Sequence, residues 1–186
     1  MDILVSGSLA YDRIMDFPGK FSDHIMPEKL HMLNVSFTVK GLSEKFGGTA
    51  GNIAYSLALL GENPRILATI GHDSHRYFEW LEQHGISTQG IRIIQDELTG
   101  GAYITTDNAD NQITCFNPGA MKHPSGYDLS KVNPAECMAI VAPGNLQDMA
   151  EYTQSYQQLG MYCIFDPGQS LPAWDSDALA STIGRA

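Results

Sequence analysis

Short apolar runs alternate with helix-length segments along most of this chain, and that alternation restricts its fold more than any other feature. Ile3-Leu4-Val5 is closed by Gly7; Arg65-Ile66-Leu67-Ala68-Thr69-Ile70 is followed by a helical stretch from about Ser74 to His84. Ala139-Ile140-Val141-Ala142 ends at Pro143-Gly144, a helical stretch runs from about Gln147 to Leu159, and Met161-Tyr162-Cys163-Ile164-Phe165 ends at Asp166-Pro167-Gly168. Strand, helix, strand at these lengths predicts right-handed crossovers and a mostly parallel sheet. Ile53 to Leu60 is apolar on nearly every side, which predicts a buried helix, with Gly61 as its C-terminal cap.

Two stretches do not fit such a body. Asn34-Val35-Ser36-Phe37-Thr38-Val39 alternates apolar and polar residues as a half-exposed strand does. Thr99 to Phe116 reads as a hairpin with Asp107-Asn108-Ala109-Asp110-Asn111 at its turn. Their exposed faces are too polar for a sheet covered on both sides. They predict a small separate sheet projecting from the main body.

Composition narrows the function classes. The 186 residues are 43% hydrophobic and 17% charged, which is globular, and suffice for one sizeable core. A formal charge of -10, with eleven basic residues scattered along the chain, argues against nucleic acid, whose phosphates attract clustered Lys and Arg. Cys115, Cys137 and Cys163 are odd in number, form no CxxC pair and each sit within an apolar run, so they read as buried free thiols in a reducing compartment. With Asp2 and no basic flank the N-terminus is not expected to act as a signal peptide, and no apolar run approaches membrane-spanning length. The expectation is a soluble cytoplasmic protein without membrane or nucleic-acid partners.

The candidate chemistry lies in the first third. In Phe46-Gly47-Gly48-Thr49-Ala50-Gly51-Asn52, Gly47-Gly48 lets backbone approach a ligand, and the helix opening there offers free N–H groups. Asn52, one turn in, supplies a donor and an acceptor, which suits a polyhydroxylated ligand. The same run also suits a tight turn with close helix packing. Asp12 follows the first strand at the carboxyl edge, where open parallel sheets bind ligands; its carboxylate could accept two vicinal hydroxyls or simply cap a turn. His72 and His75 have no third ligand to make a metal site. No GxGxxG follows the first strand, which argues against a dinucleotide-binding oxidoreductase.

Taken in order, Gly7-Ser8-x-x-x-Asp12, then Gly47-Gly48-x-x-x-Asn52, then Ile70-Gly71-x-Asp73 resembles the PfkB (ribokinase-like) carbohydrate kinase family, in its prokaryotic adenosine kinase-like branch. The resemblance covers essentially all of this chain but about three-fifths of such a kinase. It implies a three-layer α/β/α, Rossmann-like body with a small β lid, the whole of 1–186 being the N-terminal part of one kinase domain. The lid segments would be about 13–40 and 98–118. By that resemblance Asp12, Gly47, Gly48 and Asn52 hold substrate hydroxyls, and Asn145 adds a polar contact. Phe37 and Phe116 would close over the sugar or base, although an aromatic on a half-buried strand more often serves a core. ATP and Mg²⁺ are implied, with most of their site outside this chain, together with a sugar or nucleoside substrate and a possible homodimer through the lid.

Three departures qualify the implication. Ser74-His75-Arg76 stands where the family carries an aromatic and a glycine. Gln169 stands where an arginine is frequent, which favours a neutral nucleoside over a sugar phosphate. The Gly-Ala-Gly-Asp and Asn-x-x-Glu segments that carry phosphoryl transfer are absent, so the chain alone is expected to be inactive and, with a sheet cut at an edge, marginally stable. The alternative expectation is a non-catalytic sugar- or nucleoside-binding or dimerisation module.

Overall fold

The computed structural model describes residues 1–186 and resolves into two sheets. In chain order the elements are β1 (Asp2–Ser6), β2 (Ala10–Asp16), β3 (Ser43–Gly47), α1 (Thr49–Leu59), β4 (Asn63–Gly71), α2 (His75–Gln83), β5 (Ile91–Ile94), β6 (Gly100–Thr106), β7 (Gln112–Asn117), β8 (Cys137–Val141), α3 (Leu146–Gln158), β9 (Cys163–Phe165) and α4 (Ser176–Ile183). The body is a five-stranded sheet in the order β5-β4-β1-β8-β9, parallel at every pairing.

Strand alternation sorts the core into two layers. Ile3, Val5, Ile66, Ala68 and Ile70 face α1 and α2, where they meet Ala50, Ala54, Tyr77 and Leu81. Leu4, Leu67, Ala139 and Val141 face the other way, against Met149, Tyr152 and Tyr156 of α3. Both faces of the central strands are therefore covered, which is why β1 and β4 are apolar without alternation. This is the parallel sheet the apolar runs predict, in the three-layer α/β/α arrangement the resemblance implies.

The second sheet has the order β3-β2-β6-β7, with β2 and β6 parallel and the outer pairs antiparallel. The hairpin expected over Thr99–Phe116 is β6 and β7, turning at Asp107. Asp107 makes that turn by accepting from the backbone N–H groups of Ala109, Asn111 and Phe21 and from the Asn111 amide. Burial alone would raise its carboxyl; the hydrogen bonds outweigh it and hold the group at about 2.

Some expectations fail. Of the three thiols expected to be buried only Cys163 is; Cys137 is half-buried, and Cys115 is exposed because it lies on β7, the outer strand of the second sheet. Asn34–Val39 is not a strand; it is irregular, and the strand this region contributes is β3, further along. The alternation of residues 34–39 has another outlet. Phe37 packs at 4.9 Å from the Phe17 ring and 5.0 Å from Phe21, with His24 at 5.8 Å, so its pattern is satisfied by an aromatic cluster rather than by a ladder. Nor is the α1 helix buried all round. Ala50, Gly51 and Ala54 are buried, while Leu59 is 67% exposed. Gly61, at φ 82°, does end this helix, its N–H and that of Glu62 closing on Ala58 and Leu57 carbonyls. No helix is long and apolar enough to cross a membrane.

Candidate functional site

Gly7 and Gly144 bring the β1–β2 and β8–α3 connections together at the carboxyl edge of the body, and the second sheet rises from this edge. Between sheet and body lies a cavity of about 410 Å³. Ala10, Asp12, Ala102 and Phe116 line it from the second sheet; Ser8, Gly48, Pro143, Gly144, Met121 and Leu146 line it from the body, and Gln169, Ser170 and Ala173 from the turn after β9. A larger cleft of about 650 Å³ opens at the amino edge, beside Asp2, Arg65 and Cys137. Open parallel sheets bind ligands at their carboxyl ends, so the smaller cavity is the candidate site.

Register explains which side chains face it. Asp12 is opposite Ala102, and Ala102 is opposite Phe116, so the three project from one face of the second sheet. Asp12 is half-buried there, and loss of water raises its carboxyl above the ordinary range. Gly47 lies beneath this carboxylate: a Cβ at position 47 would collide with both of its oxygens. The Gly47 carbonyl accepts the Tyr77 hydroxyl at 2.6 Å. Gly48, at φ 90°, has its backbone against Ser8 and Leu9, and a Cβ would stand 2.5 Å from the Ser8 carbonyl oxygen.

The N-terminus of α1 departs from expectation. Two of its first N–H groups are not free, because Thr49 N–H donates to the Ser8 hydroxyl and Ala50 N–H to the Ser8 carbonyl. Thr49 reciprocates: its hydroxyl accepts from Ser8 N–H at 3.0 Å and donates to the Pro143 carbonyl. Ser8 and Thr49 thus lock three cavity-lining segments together. Both lie within the conspicuous motifs, but their hydroxyls point at backbone rather than at a ligand, a role that spacing alone does not reveal.

Of the residues singled out from sequence, Asp12, Gly48 and Phe116 line the cavity, and Gly47 supports Asp12 from beneath. Asn52 is exposed on the first turn of α1, outside the lining set, and its side chain makes no hydrogen bond within the chain. Phe37 belongs to the aromatic cluster described above and does not reach the cavity lining. Asn145 caps α3, accepting from Asp148 N–H and donating to the Met121 and Lys122 carbonyls, so its amide is already occupied. It holds Met121 against the cavity without facing it. Asp73 similarly ties β4 to β6 by accepting from the backbone and hydroxyl of Thr99. Met121, Leu146, Gln169 and Ser170 are lining residues that their local sequence does not advertise.

The electrostatics are simple. Asp12 is the one ionisable group among the lining residues, which include no Lys, Arg or His. No group of three or more His, Cys, Asp or Glu side chains comes together.

Residues 10–186 match the model of the pfkB family of carbohydrate kinases. The chain belongs to that family. It is 29% identical over 189 residues to the nucleoside kinase of Methanothermobacter thermautotrophicus, covering 98% of this chain and 57% of the relative. Among solved structures it resembles Burkholderia thailandensis nucleoside kinase in complex with inosine, at 41% identity and a TM-score of 0.80, over 99% of this chain and 58% of that one. The Methanocaldococcus jannaschii nucleoside kinase superposes with a TM-score of 0.81 at 27% identity, over 100% of this chain and 58% of that one. This pfkB chain therefore spans a little over half the length of the relatives it matches. The shared architecture is the ribokinase-like one expected from the motifs.

Proposed function

We propose that this chain forms the acceptor-binding part of an ATP-dependent kinase that phosphorylates a hydroxyl of a nucleoside. The observation that carries the reading is the charge and polarity of the cavity: one carboxylate, no cation, and an apolar wall of Ala102, Phe116, Met121 and Leu146. A sugar's vicinal hydroxyls donate to Asp12, whereas a flat base stacks or packs on the apolar wall. A phosphorylated sugar would bring its charge into a cavity whose ionised group is also negative. The relatives' names support the same class, since several are nucleoside kinases and one solved relative holds inosine.

In the reaction of this class the acceptor hydroxyl oxygen bonds to the γ-phosphorus of ATP and gives up its proton, the bond to the bridging oxygen breaks, and ADP leaves. The residues present here bind and orient the acceptor and shield it from water on the sheet side. Phosphoryl transfer needs positive charge around the transferring group, and the lining supplies none. The 186-residue chain should therefore bind nucleoside without turning over ATP. Isothermal titration with inosine, adenosine, ribose and ribose 1-phosphate tests the reading. Saturable nucleoside binding that ribose 1-phosphate does not match is expected, with Asp12→Asn abolishing it. Preference for the phosphorylated sugar would refute it.

A further inference from the structure

Ser74-His75-Arg76, at the opening of α2, finds no use in the cavity, yet Arg76 makes a specific contact elsewhere. Its Nη1 donates to Glu44 Oε1 of β3 at 2.6 Å, and the other oxygen of Glu44 pairs with Arg13 Nε of β2 at 3.0 Å. Arg13 and Glu44 are directly opposite in the register, and the Arg13 guanidinium also lies over the Tyr103 ring at 5.2 Å. One carboxylate thereby ties two strands of the second sheet to a helix of the body.

The location of this tie gives it a direction. All four connections of the second sheet to the body leave from one end of it, at the row of Ala10, Gly47 and Gly100 and at Asn117, which is opposite Gly101, so that row can serve as a hinge. Asp12, Ala102 and Phe116 project from its front face into the cavity. Arg13 and Glu44, each one residue along from Asp12 and Lys45, project from the rear face, where α2 packs. Next to the hinge on that rear face, Phe46 stacks on Trp80 of α2 with centroids 5.0 Å apart, so the sheet already rests against the helix there. Rotation that carries Asp12 and Phe116 towards Gln169 across the cavity must draw Glu44 away from Arg76.

We propose that Arg76–Glu44–Arg13 is a latch that holds the second sheet back from the body, and that closing the sheet over an acceptor releases Arg76 from Glu44. The assignment of the front cavity as the acceptor site rests on the function proposed above; the latch itself rests on the hinge and the rear-face pairing. Arg76 is largely solvent-exposed, so the latch is weak enough to open on binding and is screened by salt.

Nitroxide labels on exposed Cys115 of β7 and on Leu171→Cys, with Cys137→Ser to leave no other accessible thiol, span the cavity mouth. Pulsed dipolar spectroscopy is expected to give a shorter mean distance in Glu44→Gln and in Arg76→Gln than in the unaltered pair. Inosine affinity should rise by about two- to fivefold in either variant, the range of one exposed ion pair. High salt should reproduce both changes in the parent chain and add nothing in the variants, and the double variant should match the singles. Distances unchanged in Arg76→Gln, a substitution on the helix surface that leaves the core intact, would overturn the latch even if inosine binds. Shortened distances without inosine binding in any form would uphold the latch and reject the acceptor assignment.

Discussion

Gly47 and Gly48 are adjacent, yet replacing each with alanine should damage different properties. The three atoms nearest a Cβ on Gly47 all belong to the Asp12 carboxylate, with Cγ at 2.7 Å and Oδ1 at 2.9 Å and the second oxygen closer still. That carboxylate is the end of a half-exposed side chain, so it can rotate away, and the backbone at 47 is not in the left-handed region. The overpacking cost therefore belongs at the low end, about 1 kcal/mol, partly offset by the lower chain entropy of alanine in the unfolded state. The acceptor, however, loses hydrogen bonds to a charged group, each contributing about 1.5–3 kcal/mol, or roughly 10- to 100-fold in affinity. At Gly48 the φ is 90° and the Cβ would meet backbone: Ser8 O at 2.5 Å, Leu9 Cα at 2.7 Å and Ala10 N at 2.8 Å. None of these can swing aside without moving the hinge row, so Gly48→Ala should cost about 2–4 kcal/mol of stability, combining overpacking with backbone strain. Calorimetric melts and inosine titrations on both variants separate the effects. Gly47→Ala should melt close to the parent and bind poorly, and Gly48→Ala should melt well below it. Parent-like binding by Gly47→Ala, or a parent-like melt of Gly48→Ala, would refute the packing argument.

Thr49→Val should lower stability by about 0.5–1.5 kcal/mol, because it removes the hydroxyl that bonds both Ser8 N–H and the Pro143 carbonyl and leaves them only their 3.1 Å bond to each other; chemical denaturation reads this directly, and a neutral result would discount the lock. Titration gives opposite signs at two aspartates. The raised carboxyl of Asp12 makes the native state bind its proton more tightly, so its contribution falls as pH rises through the ordinary carboxylate value near 4 and up to the raised one; Asp12→Asn should be the more stable form at neutral pH and equal to the parent in strong acid. Asp107, held at about 2, contributes stability that is complete above its unfolded value and is lost as pH falls towards 2, so Asp107→Asn should flatten the acid limb of a melting-temperature profile. Finally, β9 is an edge strand with Ile164 43% exposed beside Tyr162 at 69%. Sedimentation should show concentration-dependent association of the 186-residue chain, reduced by Ile164→Lys; a clean monomer with a reversible, cooperative melt would contradict this.

Local sequence was sufficient wherever one segment decides its own environment. The apolar runs of β1, β4 and β8 specify strands buried on both faces, because no polar residue interrupts them to mark a wet side. The β6–β7 hairpin was legible from alternation and from a turn rich in Asn and Asp, and Gly61 from its place after the helix. Among the cavity residues, Asp12, Gly47 and Gly48 stand out by their ordered spacing, which resembles that of the kinase family; each alone suits a turn equally well.

Residues whose role depends on a distant partner were not legible in this way. Phe37 and Phe116 are both aromatics on alternating segments, but one is drawn into a cluster with Phe17 and Phe21 and the other placed beside Asp12 by pairing with Ala102. Asn145 and Thr49 carry groups able to touch a ligand, and the fold directs them to backbone atoms far away in sequence. Ser43–Gly47 becomes a strand because β2 lies alongside it, while Asn34–Val39, with the more regular alternation, finds no such neighbour. Periodicity records how a segment meets water, whereas pairing and site membership depend on which surfaces the rest of the chain brings to it.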